Sequence, residues 1–309
     1  MEKSKSAFIS IIGRPNVGKS SFLNRALGQK VAIVSDKPQT TRTRIMGVLN
    51  RDVLQLVFID TPGFHKPHNL LGENMVKAVG MGMTDVDAVI MIVDACPKFK
   101  NEQGSLPAAE EELIKELNRR KLKAILGINK IDLLQNKEDL LTIISRYASK
   151  YDFDAVVPFS AKTGDNVDAL IDEAAKFAHE SVHYFADDDF TDQPDKVMVA
   201  EIIREKLLRM LSNEVPHGIA VDIERFFERD TNAGEPILCV DATIYCEKNS
   251  HKGIIIGKNG EMLKRVGVSA RRDIEEFFGI KADLKLWVKV KEDWRNRQSL
   301  IHGFGLDVK

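Results

Sequence analysis

Residues 13–20 read G-R-P-N-V-G-K-S and form a glycine-bounded loop that could hold a chain of phosphates. They match the pattern G-x-x-x-x-G-K-[ST], and they lie between an apolar run at 7–12 and a helical pattern. In such a loop the backbone N–H groups turn inward, and the positive end of the following helix dipole adds to them. Lys19 would then reach the terminal phosphates, and the Ser20 hydroxyl would ligate Mg²⁺. The predicted phosphate-binding residues are Gly13, Arg14, Pro15, Asn16, Val17, Gly18, Lys19, Ser20 and Ser21.

Residues 129–132 read N-K-I-D, a short pattern that suits guanine. The Asp132 carboxylate can accept from both N1–H and the exocyclic amine of guanine, a donor pair that adenine lacks. The stem of Lys130 can lie along the purine face. The alternative for Asp132 is that it caps the helix that follows. With S-A-K at 160–162, which can offer a backbone N–H to guanine O6, the predicted base-binding residues are Asn129, Lys130, Asp132, Ser160, Ala161 and Lys162.

Apolar runs that read as strands alternate with helical patterns along the first half of the chain. The runs occupy 7–12, 88–93, 124–128 and 155–159, with a strand hairpin at 44–59, and the helical patterns occupy 107–120, 137–149 and 166–178. This alternation predicts an α/β fold with a doubly wound, mostly parallel sheet. Ligands bind at the carboxyl ends of the strands in such sheets, so the residues that follow the runs should meet at one edge.

The order of these motifs, together with Q-T-T-R at 39–42 and D-T-P-G at 60–63, resembles a translation-factor-type small GTPase domain over residues 7 to about 180. The resemblance implies hydrolysis of GTP to GDP and phosphate with Mg²⁺ bound. Asp60 would hold Mg²⁺ through a water, the Gly63 N–H would sense the γ-phosphate, and Thr41 would complete the metal shell, with Thr40 as the close competitor. The implied metal ligands are Ser20, Thr41 and Asp60; the implied catalytic residues are Lys19, Asn16, Thr41 and Gly63; and Asp60, Thr61, Pro62 and Gly63 join the nucleotide site.

Position 64 departs from the Ras-like pattern. Ras-like enzymes place a glutamine directly after Asp-x-x-Gly to orient the attacking water, and Phe64 cannot form a hydrogen bond to water. We therefore expect slow intrinsic hydrolysis, or another group that places the water. In GTPases with a similar G-x-P-N-x-G-K-S loop the asparagine helps to bind K⁺, so Asn16 is predicted either to bind K⁺ or only to cap its loop. Arg14 is predicted to be solvated, with phosphate contact as the alternative.

Residues 185–196 carry five aspartates and a proline and predict a linker between two domains, 1–184 and 197–309. The second domain reads as a helix at 197–211, strands at 219–227 and 237–245, G-K-N-G at 257–260, a further helix, and a strand at 284–290. This order resembles an α+β type II KH domain, whose G-x-x-G loop clamps about four single-stranded nucleotides. The predicted RNA-binding residues are Ile256, Gly257, Lys258, Asn259, Gly260, Lys264, Arg265, Arg271 and Arg272.

The charges favour an anionic partner for the second half. The whole chain has a net charge of −1, whereas residues 251–297 hold 12 Lys/Arg against 7 Asp/Glu.

Cys96, Cys239 and Cys246 lack disulfide or zinc spacing and should pack as small apolar groups. Trp287 is predicted to be buried, with base stacking as the alternative, and both readings stay open for Trp294. The chain lacks an apolar run of the roughly 18 residues that span a membrane and lacks a signal-peptide core, so we expect a cytoplasmic protein.

A GTPase domain followed directly by a type II KH domain, with the ending L-W-V-K-V-K-E-D-W-R-N-R-Q-S-L-I-H-G-F-G, resembles the bacterial Era family of ribosome-assembly GTPases. That resemblance implies binding near the 3′ end of 16S rRNA during maturation of the 30S subunit, with some protein held loosely at the inner face of the membrane. It also leads us to expect a monomer without affinity for DNA.

The two alternatives to this function are a nucleotide-dependent membrane or cell-cycle regulator with incidental RNA binding, and a GTPase that drives RNA modification. We further hypothesise that GTP orders the loop around 36–43 and the segment around 60–83, and thereby changes how the two domains sit together.

Overall fold

The computed structural model describes residues 3–95, 105–212 and 215–307, and these ranges contain two β-sheets. The larger sheet has the order β2-β3-β1-β4-β5-β6, with a short β7 paired to the start of β1. Its strands are β1 (Lys5–Ile12), β2 (Ile45–Arg51), β3 (Leu54–Asp60), β4 (Ala88–Asp94), β5 (Ala124–Asn129), β6 (Ala155–Pro158) and β7 (His179–Glu180). Its helices are α1 (Lys19–Leu27), α2 (Leu70–Gly82), α3 (Ala108–Arg120), α4 (Lys137–Ala148) and α5 (Val167–Ala175).

The sheet is parallel except for the β2–β3 hairpin and β7, as the alternating pattern predicts. Strands β1, β4 and β5 lie in the middle and are covered on both faces, which is why they read as continuous apolar runs rather than alternating ones. One face packs against α1 and α5, and the other packs against α3 and α4. The predicted α/β fold is confirmed.

Helix α2 has no counterpart among the predicted helices. Its segment contains three glycines, Gly72, Gly80 and Gly82, which lower the intrinsic helix propensity. The helix forms because Asn69 caps its first turn, accepting a hydrogen bond from Gly72 N at 2.8 Å, and because one face is buried.

The smaller sheet has the order β10-β9-β8, with β10 parallel and β8 antiparallel to the central strand. Its elements are α6 (Asp195–Met210), β8 (Ala220–Asp230), β9 (Pro236–Cys246), α7 (Asn249–Ile256), α8 (Glu261–Phe278), β10 (Lys281–Val290) and α9 (Gln298–Gly303). Helices α6, α7 and α8 pack on one face of this sheet around a second core that includes Ile203, Val240 and Ile274. Helix α8 buries Val266, Ala270 and Ile274 in this core.

The connection between the two sheets follows the outer edge of β2. Phe190 O accepts from Val48 N at 3.0 Å, and Asp192 Oδ1 accepts from Met46 N at 2.9 Å. Thr191 pairs with Gly47 in an isolated antiparallel bridge. The predicted linker is therefore bonded to the first sheet over much of its length.

The open face of the smaller sheet corrects the prediction for Trp287. This side chain is 43% exposed on β10, whereas Trp294 is fully buried and donates from its indole nitrogen to Gly218 O at 2.9 Å. Around Trp294, the segment 294–306 packs against Tyr245 of β9. The other side of this cluster is formed by Leu71 and Met75 of α2. The C-terminal segment thus lies between a helix of the first unit and the sheet of the second.

Cys239 and Cys246 are buried free thiols, as predicted, and Cys96 lies outside the described residues. Within the described ranges, none of the helices combines the length and apolar composition that a bilayer-spanning segment requires.

Candidate nucleotide site and nucleic-acid interface

The predicted phosphate and base motifs line one cavity of about 970 Å³ at the carboxyl edge of the larger sheet. The phosphate loop forms one wall, and the N-K-I-D and S-A-K segments form another. Its lining also includes Ser35, Asp36, Asp94 and Leu133, which the sequence motifs do not identify. Motifs that are more than 100 positions apart along the chain therefore meet where a doubly wound fold is expected to bind its ligand.

Two glycines let the phosphate loop lie close to its neighbours. A Cβ atom on Gly13 would stand 2.3 Å from Ile92 O, and one on Gly18 would stand 2.2 Å from Asn129 Nδ2. Both residues also have positive φ angles, 152° and 98°. Helix α1 starts immediately after Gly18, so its unpaired N–H groups face the cavity.

Asn129 joins the three loops of the cavity to one another. Its Nδ2 donates to Val17 O at 2.7 Å, and its Oδ1 accepts from Lys130 N at 2.8 Å and from Ala161 N at 2.9 Å. A side-chain amide with both donors and acceptors is suited to this role. Asn129 therefore holds the loops that surround the base rather than pointing freely at it.

Asp132 lies at the open side of the cavity, where Ser160 Oγ donates to its Oδ1 at 2.6 Å. The alternative that Asp132 caps helix α4 is wrong, because that helix starts at Lys137 and its N-cap is Asn136. Nearby, Lys130 Nζ lies 2.6 Å from Asp94 Oδ2, which fixes the lysine stem along the cavity wall.

Ser20, Thr41 and Asp60 converge at the phosphate end. Ser20 Oγ lies 2.9 Å from Thr41 Oγ1 and donates to Asp60 Oδ2 at 2.6 Å. The other carboxylate oxygen, Asp60 Oδ1, is buried without a hydrogen-bond partner among the described residues. Burial raises the pKa of Asp60 to about 6, although the charge of Lys19 acts in the opposite direction. Two hydroxyls and an unsatisfied buried carboxylate oxygen are the ligand types that Mg²⁺ prefers, so these residues fit the metal.

The geometry distinguishes between the two threonines of the loop. Thr41 Oγ1 approaches Asp60 Oδ2 at 3.5 Å, whereas Thr40 Oγ1 donates to Lys37 O at 2.6 Å and lies 2.7 Å from Ser35 Oγ. Thr41 is therefore the threonine that faces the predicted metal ligands.

Lys19 is buried at the same end and folds back on its own loop. Its Nζ donates to Gly13 O at 3.1 Å and to Arg14 O at 3.0 Å. Burial lowers its pKa to about 8, and the nearby Asp60 offsets part of this effect. The two backbone carbonyls hold the ammonium group at the phosphate end.

Arg14 is not solvated, which corrects the sequence-based expectation. Its guanidinium forms an ion pair with Glu110, a fully buried residue of α3, whose other oxygen accepts from the Tyr147 hydroxyl of α4. Arg14 still lines the cavity, so the pair ties the phosphate loop to two helices behind it. Asn16 bonds to a different loop of the same cavity, because its Nδ2 donates to Asp36 O at 2.7 Å.

The D-T-P-G segment packs tightly on the phosphate loop. A Cβ atom on Gly63 would lie 2.6 Å from Pro15 N, and Phe64 N donates to Gly13 O at 3.1 Å. The Thr61 hydroxyl donates to Ile11 O at 2.8 Å and the residue is fully buried, so its side chain is bonded to the sheet. The Gly63 backbone lines the small phosphate-end cavity together with Lys19 and Thr41.

The G-K-N-G loop of the second unit has the geometry of a backbone clamp. Gly257 and Gly260 have φ angles of 73° and 78°. A Cβ atom on Gly257 would meet Met262 at 2.7 Å, whereas the space around Gly260 is open. Lys258 and Asn259 are exposed between them, and Ile256 packs on the second core.

Two neighbouring grooves along α8 bring the predicted basic residues together. A groove of about 330 Å³ between α8 and β10 is lined by Gly260, Lys264 and Arg271. A larger groove of about 700 Å³ on the outer side of the helix adds Arg265 and Arg272. A basic groove next to a glycine loop is suited to the phosphates of a single strand.

The loop at 30–42 connects the nucleotide site directly to the second unit. Arg42, which is buried, donates to Ile219 O at 2.5 Å and to His217 O at 3.0 Å. Arg204 of α6 donates to Thr40 O, the residue next to Thr41.

A buried carboxylate of α6 gathers further contacts from the same loop. Glu205 is fully buried, and it accepts from Lys30 Nζ at 2.6 Å and from Val34 N at 3.0 Å. Arg209 Nη2 donates at 3.0 Å to Glu205 Oε1, the oxygen that also accepts from Val34 N. The sequence motifs do not identify the contacts of Glu205 with Lys30 and Val34, since these partners lie more than 170 positions away along the chain.

Comparisons with known proteins agree with this arrangement. A family model described as 50S ribosome-binding GTPase matches residues 8–130, and a KH domain model matches residues 214–295. GTPase Era from Clostridioides difficile (strain 630) is 48% identical over 305 residues, which cover 99% of each chain. GTPase Era from Ruminiclostridium cellulolyticum is 47% identical over 302 residues, which cover 97% of each chain.

Two solved structures resemble the whole chain. Era in complex with MgGDPNP and nucleotides 1506–1542 of 16S ribosomal RNA matches with a TM-score of 0.91 and 35% identity, covering 99% of this chain and 100% of that one. An Era variant from Aquifex aeolicus bound to GDP·AlF4⁻ gives the same score and identity over 98% of this chain and 100% of that chain. Because the similarity extends through both units and the segment that joins them, this chain belongs to the Era family of GTPases.

Proposed function

We propose that this GTPase binds GTP and GDP in the 970 Å³ cavity, with Mg²⁺ and the terminal phosphates in the small phosphate-end cavity that shares part of its lining. In the GTP form it binds the 3′ end of 16S rRNA through the grooves of α8. It would thereby assist assembly of the 30S subunit. The observation that carries the proposal is the direct bonding of loop 30–42 to helix α6, since this loop also supplies Thr41 to the phosphate end.

The nucleotide end of the proposal rests on the convergence of the predicted residues. Ser20, Thr41 and Asp60 would hold Mg²⁺, which would neutralise charge on the β- and γ-phosphates. Lys19 would exchange its two carbonyl contacts for phosphate oxygens. Asp132 and the S-A-K segment would select guanine. Asn16 remains a predicted K⁺ ligand, to be tested by comparing hydrolysis in KCl and in NaCl.

The RNA end of the proposal rests on the G-K-N-G loop and on exposed cations beside it. The loop lets a nucleic-acid backbone come close, and Lys258, Lys264 and Arg271 can neutralise its phosphates. Era in the solved complex holds nucleotides 1506–1542 of 16S rRNA, which supports this choice of ligand.

The nucleotide site and the RNA-binding grooves would be coupled through loop 30–42 and helix α2. A γ-phosphate that draws Thr41 towards Mg²⁺ would also move Thr40 and Arg42, which bind Arg204 and the backbone at 217–219. Those shifts would alter the position of α6 and therefore the access of RNA to the groove. We also propose the division of the chain into 1–184, 185–196 and 197–309.

Filter binding of a 16S 3′-end oligonucleotide, with GDPNP or with GDP present, tests the proposal. We expect tighter binding with GDPNP. The double substitution Lys264→Glu and Arg271→Glu should weaken binding about tenfold or more and reduce its salt dependence, since both residues are exposed and would contact phosphate. Lys281→Glu with Lys285→Glu, the same charge change at exposed positions on β10, is the matched control and should bind normally.

Equal RNA affinity in both nucleotide states would contradict the coupling, and equal losses in the two charge variants would contradict the groove. Peripheral membrane association, a monomeric state and a cytoplasmic location remain predictions. Co-sedimentation with anionic vesicles and size-exclusion chromatography with light scattering test the first two.

A further inference from the structure

Phe64 stands where Ras-like enzymes carry the glutamine that orients the attacking water, and it is not among the residues that line the phosphate-end cavity. It is half-buried and packs on the core between the sheet and helices α3 and α4. A ring held in that core has neither the chemistry nor the freedom to position a water. A side chain that orients the attacking water in this GTPase must therefore be another polar group at the phosphate end.

Gln39 is a polar group in the right place. It lines the small phosphate-end cavity, of about 50 Å³, together with Lys19, Thr41 and Gly63. Its backbone has a φ angle of 61°, a left-handed conformation that is uncommon for a residue with a side chain. Strained backbone of this kind concentrates at functional sites.

His65 holds the side chain of Gln39. The amide nitrogen of Gln39 lies 3.2 Å from His65 Nε2, and His65 Nδ1 lies 2.8 Å from Gly63 O. An amide nitrogen carries only hydrogens, so Nε2 must be the acceptor and the imidazole proton must lie on Nδ1, where it donates to the Gly63 carbonyl. This bond leaves Gln39 Oε1 available to accept from a water.

Gly63 gives the pair a fixed anchor. It is wedged against Pro15 of the phosphate loop, and the following residue donates to Gly13 O. The imidazole is therefore positioned relative to the phosphate loop itself, and Gln39 is positioned through the imidazole. The chain of contacts is short enough to orient one amide at one end of the cavity.

We propose that Gln39 is a catalytic residue that orients the attacking water, and that His65 is the positioning residue that holds it. The water oxygen forms a bond to the γ-phosphorus while the bond from that phosphorus to the β–γ bridging oxygen breaks, and the electron pair leaves on GDP. The water proton passes to the phosphate product, because a neutral amide cannot retain it. This assignment rests on the proposed placement of the γ-phosphate near Lys19 and Gly63.

Single-turnover GTP hydrolysis and nucleotide affinity, measured on the same variants, test the proposal. Gln39→Ala should slow hydrolysis by at least about tenfold while GDP affinity stays within about twofold of the parent. The variant should also lose binding of fluorescent GDP in the presence of AlF4⁻, a mimic of the transferred phosphoryl group, beyond its binding of GDP alone. This second readout does not depend on turnover.

Two substitutions at His65 separate positioning from packing. His65→Gln keeps an acceptor within reach of Gln39 and should retain most of the rate, whereas His65→Ala should be as slow as Gln39→Ala. His68→Ala, at an exposed histidine three positions later, is the matched control and should hydrolyse GTP normally.

A parental rate in Gln39→Ala would overturn the proposal, and so would an equal loss of GDP affinity, since either result would make Gln39 a structural residue of the loop. Slow hydrolysis in both His65 variants would remove His65 from its role. Failure of the unaltered protein to bind GDP in magnesium buffer would instead overturn the nucleotide site itself, which distinguishes the two failures.

Discussion

Asp132 and Ser160 show how single residues prepare the site for a base. The hydroxyl of Ser160 occupies one oxygen of Asp132 at 2.6 Å and fixes the plane of the carboxylate. Asp132 is exposed and lines the cavity, so its carboxylate is accessible to a base. A carboxylate held in this way presents acceptors only, which is the complement of the two donors on guanine.

Asp132→Asn should therefore lower GDP affinity and raise affinity for xanthosine diphosphate, because the new amide donor matches the 2-oxo group of xanthine. Loss of charge-assisted hydrogen bonds predicts a decrease of about 10- to 100-fold for GDP. Isothermal titration with both nucleotides measures the change. An unchanged preference for GDP would exclude Asp132 from base reading.

Residue types and spacing predict the nucleotide motifs because each of those roles requires one specific chemistry, such as a glycine without a Cβ atom or a carboxylate. The same reasoning does not identify the partner of Arg14. Its carboxylate, Glu110, is 96 positions away on a helix whose polar face looks ordinary in the sequence. The pair of Gln39 and His65 is equally hidden, since both residues lie in loops without periodicity.

At the scale of elements, helix α6 forms the contacts of the second unit with the nucleotide loop through its buried polar side chains. Glu205 accepts from a backbone N–H and a lysine of that loop, and Lys206 pairs with Asp273 of α8. Burial alone would raise the pKa of Glu205. The hydrogen bonds from Lys30 and Val34, together with the charges of Lys30 and Arg209, outweigh burial and lower it.

Because folding lowers its pKa, ionised Glu205 stabilises the fold fully at pH values above its ordinary pKa of 4.5. This contribution is lost as the pH falls through the lower pKa of the folded state. Glu205→Gln should cost about 2–4 kcal/mol at pH 7, since it removes one partner of a buried ion pair. The cost should shrink below pH 4. Urea unfolding between pH 3 and pH 7 measures both effects.

Glu228→Gln, at an exposed position on β8, is the control for Glu205→Gln and should be neutral across this range. A cost for Glu205→Gln that does not change with pH would show that its carboxylate stays protonated in the folded state, contrary to the contacts described above.

The order of strands and helices follows from periodicity, and that part of the fold is predicted well. Helix α2 is not predicted, because its stability comes from a cap and from burial against the C-terminal segment rather than from its glycine-containing sequence. The prediction for Trp287 is wrong, and that for Trp294 stays open, for a related reason. Sequence shows that each is apolar, but only the docking of residues 294–306 decides which face of the sheet is covered.

At the scale of the whole molecule, the C-terminal segment is a layer shared by the two units. Trp294 sits in the middle of this layer, with Arg42 of the nucleotide loop 5.7 Å from its ring and Phe304 in edge contact at 5.3 Å. Leu71 and Met75 of α2 complete the cluster. Both segments expected to respond to GTP therefore touch the same buried residue or its immediate neighbours.

Trp294→Ala should destabilise the protein by about 3–5 kcal/mol, because it leaves a large cavity and an unpaired carbonyl at Gly218. Trp287→Ala, at the exposed tryptophan, should cost less than about 1 kcal/mol. Urea unfolding followed by far-ultraviolet circular dichroism compares the two without relying on tryptophan emission. Similar costs for both variants would contradict the burial difference.

The pairing of residues 190–192 with the edge of β2 has a consequence for experiments that separate the two units. A strand at the border of a sheet presents unpaired N–H and C=O groups that invite pairing with another molecule, and here Phe190, Thr191 and Asp192 occupy those groups on β2. A fragment that stops at residue 184 would leave them open and should self-associate, whereas one that continues to residue 194 should stay monodisperse in dynamic light scattering. In that case the linker 185–196 protects β2 from pairing with another molecule and also connects the two units.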